Sequence, residues 1–139
     1  MDYRKSGNTY IIRIDRGEEI MENLLSVIRK ENIRLAHVEA IGACDYVKVG
    51  LFDVTEQKYH SKEFSGPMEI TSLLGNITTK DGEPYIHLHI NCGDEDCHVI
   101  GGHLNECRIA ATCEMFVTEL EGEVGRQVDE RIGLNVFKF

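Results

Sequence analysis

Apolar and polar side chains partly alternate over Thr9-Tyr10-Ile11-Ile12-Arg13-Ile14, a β-branched and aromatic run that predicts a first strand. The period then lengthens. Ile20, Leu24, Val27 and Ile28, joined by Met21 and Leu25, recur every three to four residues and predict a helix over residues 17–31 whose stripe packs on a sheet. Asp15 is placed to cap its start. Glu18, Glu19 and Glu22 suit the positive end of the dipole, Arg29 and Lys30 the other end, and Asn32 marks a stop.

Beyond residue 34 the helical period disappears. Short β-like runs follow at 36–41, 46–53, 58–64, 68–78, 85–92, 108–118 and 134–138, with Lys80-Asp81-Gly82-Glu83-Pro84 a strong turn between two of them. One helix and then a series of strands without crossover segments implies an α+β fold. The expectation is a single domain with a mainly antiparallel sheet of about seven strands and one principal helix.

Composition narrows the function classes. The 139 residues carry 15 Lys and Arg against 24 Asp and Glu, a net charge of −9, and 42% of them are hydrophobic. That is enough apolar material for a core and too much for a disordered chain. No apolar run approaches the roughly 18 residues of a membrane span, so no membrane partner is expected. Met1 to Gly7 lacks the apolar stretch of a secretory signal, which gives a cytoplasmic expectation. Five cysteines, an odd number, are then read as reduced thiols. Cys44 and Cys113 lie in apolar strand contexts as core residues, whereas Cys97 and Cys107 are expected to be exposed. Negative charge disfavours nucleic acid, whose nonspecific affinity comes from Lys and Arg. Arg4-Lys5, Arg29-Lys30, Arg34 and Arg126 are scattered and read as solvated surface.

Candidate chemistry concentrates in one stretch. His87, His89, His98 and His103 fall within seventeen positions. His87 and His89 share a strand face, with Cα atoms about 6.6 Å apart, so their rings can converge on one ion. A turn through Gly93 to Cys97 returns the chain and presents His103 as a third ligand, with Gly101 and Gly102 permitting close backbone approach. Three imidazoles with an open fourth position suit a divalent metal, zinc first. His98 sits in the turn, and His37 and His60 stand alone. Three carboxylates are candidates for orienting a ring or lining a ligand pocket. Glu114 and Glu69 lie between apolar neighbours and call for a donor or a charge partner, and Asp94 opens an acidic turn.

The ordered set of these pieces resembles the PPC family, the plants and prokaryotes conserved domain. The resemblance is carried by Gly17-Glu18-Glu19-Ile20, Ile41-Gly42-Ala43, Glu69 to Ile77, Ala111-Thr112-Cys113-Glu114-Met115 and above all His87-Leu88-His89 with Gly101-Gly102-His103-Leu104. It implies that residues 1–139 form one PPC-like domain that assembles as a homotrimer. It also implies a metal site on His87, His89 and His103. The chain has Gly66-Pro67-Met68 where the family commonly has Gly-Arg-Phe, and no Arg-Gly-Arg-Pro hook of the plant relatives. A cupin would place His87, His89 and Glu95 in its first metal motif, but its second motif is not evident. The leading reading is therefore a trimeric zinc-binding module with a regulatory role and a small-molecule ligand. The alternatives are a DNA-binding protein, as prokaryotic relatives are often described, and a metal-dependent enzyme acting on a small molecule.

Overall fold

The structure, a computed structural model describing all 139 residues, has eight strands and one helix. They are β1 (Asp2–Ser6), β2 (Thr9–Asp15), α1 (Ile20–Glu31), β3 (Ala36–Asp53), β4 (Lys58–Lys80), β5 (Glu83–Gly93), β6 (Val99–Glu119), β7 (Gly125–Asp129) and β8 (Leu134–Lys138). All pairings are antiparallel, in agreement with the α+β expectation. No helix is long and apolar enough to cross a membrane.

The main sheet runs β1-β2-β6-β3-β4-β5, and β5 pairs again with β6. That last pairing closes a barrel of β3, β4, β5 and the first part of β6, while the C-terminal part of β6 carries β2 and β1 as an extension. Closure requires strong local curvature. Register shifts in β3 at Ala40/Gly42 and Cys44/Tyr46, and in its pairing with β6 at Lys48/Val49, supply it in the way β-bulges bend a strand. These shifts also explain why runs 36–41 and 46–53 are one bent strand rather than two, as are 58–64 and 68–78.

Alternation decides which side chains enter the interior. In β2, Tyr10, Ile12 and Ile14 are buried while Ile11 and Arg13 face out, and in β5 Leu88, Ile90 and Cys92 are buried. The helical stripe Ile20, Leu24, Val27 and Ile28 joins them in one core of 27 residues. The helix starts at residue 20 rather than 17. Glu19, not Asp15, is its cap, accepting from the Glu22 backbone N–H at 2.7 Å. Asp15 instead pairs with Arg13 and the chain's amino terminus. Asn32 ends the helix in the left-handed conformation at φ 53°, a role its short polar side chain tolerates.

The run expected as the first strand is the second, since β1 precedes and pairs with it, and two further expectations change. Cys107 is fully buried, because the shift at Lys48/Val49 leaves Asn105 as an extra residue in β6 and turns Cys107 inward. Arg126 is also buried, on a strand, β7, that no sequence pattern marked. The remaining cysteine assignments hold, with Cys44 and Cys113 in the core and Cys97 exposed in the turn after β5.

Candidate metal centre

Strand β5 presents Tyr85, His87 and His89 on its outer face, since Leu88 and Ile90, on either side of His89, point into the core. The turn after it is tied by the Asp94 N–H to His98 carbonyl bond (3.0 Å) and by Asp94 Oδ1, which accepts from the backbones of Asp96 and His98. The returning strand then pairs His103 directly with His89. Glycine is required on this return. A Cβ at Gly101 would strike the Asn91 side chain and the Ile90 carbonyl, and one at Gly102 would lie 2.8 Å from the Gly50 carbonyl oxygen.

The three rings converge. Their centroids are 5.1–5.6 Å apart, and one ligand nitrogen from each lies within 4.8 Å of the others. Small side-chain rotations close such a set onto an ion with metal–nitrogen bonds of about 2.1 Å. Tyr59 packs edge-on against His103, its hydroxyl donating to Asn105 Oδ1 at 2.7 Å. Burial first, then the charges of His103, Arg126 and His89, push the pKa of His87 down to about 4. Burial and His89 lower that of His103 as well. These two rings are therefore neutral at pH 7, which is the state a metal ligand needs, so the donor set fits a divalent ion.

The carboxylates stand apart from this arrangement. Glu114 lies opposite Ile41 and Arg13, Glu69 opposite Ala43 and Gly93, and both are exposed. Glu114 thus faces solvent and calls for no buried partner. Its apolar neighbours Cys113 and Met115 point to the opposite, buried face. Asp94 is held by its own turn and faces His98 at 3.7 Å. None of the three is hydrogen-bonded to His87, His89 or His103. His60 pairs with Glu56, away from the cluster.

The family model described as the Plants and Prokaryotes Conserved (PCC) domain matches residues 1–121. The chain belongs to this family. Among solved structures, a plant- and prokaryote-conserved protein of Pyrococcus horikoshii is 34% identical, with 96% of this chain and 92% of that one covered and a TM-score of 0.88. A "metal-containing protein" of Archaeoglobus fulgidus is 33% identical over 100% and 99% of the two chains, with a TM-score of 0.89. A "putative DNA binding protein" of Bacteroides thetaiotaomicron is 30% identical over 99% and 96%, with a TM-score of 0.96. No curated protein matches the sequence. The β7–β8 hairpin lies beyond the family match; its second strand is the run expected at 134–138, whereas β7 is a strand that sequence reasoning missed, as it missed β1. Around Arg126 only the isolated Val124 and Val128 are apolar, too little to mark a strand.

Proposed function

We propose that this PPC-family chain is a metal-binding module that holds a divalent ion, zinc, on His87, His89 and His103, and that its working form is a homotrimer. The observation that carries the reading is the convergence of three imidazole nitrogens within 4.8 Å from two strands. Three imidazoles suit zinc and leave room for a further ligand. The Archaeoglobus relative described as metal-containing is consistent with it.

The trimer is supported by the outer face beyond the histidines. Leu74 is next to His89 across β4, and the same ladder continues through Glu39 and Phe116 to Ile11, with Ile41 two residues along. Leu74, Ile41, Phe116 and Ile11 are 37–59% exposed, an apolar row of the kind that association covers. Duplex DNA, which the name of the Bacteroides relative raises, is opposed by the charge of −9.

Elemental analysis of protein purified without chelator tests the metal. One zinc per chain, lost in His87→Ala and His103→Ala, is the expected result, and metal-free wild-type protein after zinc exposure would overturn it. Sedimentation equilibrium tests the trimer.

A further inference from the structure

The last hairpin places an uncompensated positive charge beside the histidines. Arg126 is 8% exposed. Its Nε donates to Thr78 Oγ1 at 2.9 Å, Nη1 to the Asn135 carbonyl at 3.2 Å and Nη2 to Asn76 Oδ1 at 2.8 Å. Its Cζ lies 4.4 Å from the centre of the Tyr85 ring and 4.7 Å from that of Phe137. Every one of these partners is neutral. Of the exposed arginines, Arg13, Arg34, Arg108 and Arg131 pair with a carboxylate, although they need one far less, and Arg4 and Arg16 do not. A guanidinium stays protonated even when buried, and a buried charge without a counter-charge is expensive. In a chain of charge −9, this buried cation forms its hydrogen bonds with neutral groups alone.

Its position gives the reason. Asn76 lies directly opposite His87 in the β4–β5 ladder, and Tyr85 precedes His87 by two residues on the same face. The guanidinium therefore flanks His87. The three hydrogen bonds leave two of its five N–H groups free.

We propose that Arg126 and the three-histidine centre together form a binding site for a small organic carboxylate, held between the guanidinium and the bound cation. The inference rests on the reading of His87, His89 and His103 as metal ligands. A carboxylate is the matching class because its two in-plane oxygens suit a planar fork and its single charge answers a single guanidinium. Tyr85 and Phe137 hold that fork in one plane, so little side-chain freedom is lost on binding. A phosphate dianion would call for more donors than this fork has free.

Cobalt(II) uptake followed by visible absorption separates the two readings. Acetate is expected to perturb the cobalt bands of wild-type protein. In Arg126→Gln the acetate concentration at half effect should rise about ten- to hundredfold, the worth of a charge-assisted hydrogen bond, while cobalt uptake is unchanged. Asn76→Asp is the second variant. It places a carboxylate against Nη2 without altering side-chain size, so it should weaken acetate similarly with the hairpin intact. Identical acetate curves for wild type and both variants would overturn the carboxylate site, while leaving the metal centre standing. An Arg126-dependent response to inorganic phosphate at lower concentration than to acetate would overturn the ligand class. Wild-type protein that takes up no cobalt would overturn the metal reading and this one with it.

Discussion

Strands β5 and β6 carry two sets of side chains that can bind metals, on opposite faces. Outside are His87, His89 and His103, whose rings meet at the β5–β6 junction. Inside are Cys92 and Cys107, with Cys44 of β3 placing its Sγ 3.8 Å from that of Cys92. Both sets are clusters, yet their environments push them in opposite chemical directions. Burial lowers the pKa of His87 and His103 and so keeps their lone pairs free. The contact with the Cys44 thiol first, and burial after it, raise the pKa of Cys92 and Cys107, and burial raises that of Cys113 to about 12, so these thiols stay protonated. Partial desolvation thus makes a ligand of an imidazole and an inert packing group of a thiol, because it penalises the charged form in each case. Proximity of metal-binding residue types is not enough. The face of the strand decides whether solvent, ions and ligands can reach them.

The comparison can be broken most severely at the outer cluster. His103→Ala is expected to abolish zinc retention, read by elemental analysis, with the cooperative unfolding transition preserved. The same truncation at the inward neighbour should do the reverse. Leu88 is 1% exposed between two of the histidines, and Leu88→Ala should lose about 2–5 kcal/mol in urea unfolding while metal content per folded chain stays. Cys92→Ser sharpens the inner half. A hydroxyl in that apolar setting should lower stability by about 1–3 kcal/mol with no change in zinc. Alkylation and then mass spectrometry check access directly. Native protein should take up one label, on Cys97, and denatured protein all five. Labelling of Cys92 or Cys107 before unfolding would contradict the sealed interior.

The smallest effect is on pH. An unfolded histidine titrates near 6.5, whereas folded His87 does so at about 4. Between those values the unfolded chain binds the extra proton, so stability of the metal-free protein should fall as pH drops from about 6.5 to about 4. Below that window the loss is complete and constant. Urea midpoints across this range measure it, and His87→Gln should flatten the slope.

Much of this arrangement was legible residue by residue. The stripe Ile20, Leu24, Val27 and Ile28 marked the helix, and alternation in β2 and β5 marked their buried faces. The histidine trio was legible too, because a period of two put His87 with His89 and paired glycines allowed the return that brings His103. Cys107 was not, since one bulge residue, Asn105, reverses the facing of the strand positions beyond it. Arg126 was missed for a different reason. Strand β7 has only one apolar residue, Val128, too little pattern to announce itself, and a lone arginine reads as solvated until Tyr85, Phe137 and Thr78 are seen around it.

The sequence by itself determined what local periodicity and residue chemistry can carry: one amphipathic helix, a run of antiparallel strands, three imidazoles able to share an ion and a net charge of −9. Tertiary structure alone decided the rest. Closure of β5 onto β6 set His103 beside His89, bulges turned Cys107 inward, and the docking of β7–β8 onto β4 buried a guanidinium beside His87. Each of these depends on contacts between residues far apart in the chain, whose register and facing are fixed by packing and not by neighbours in sequence.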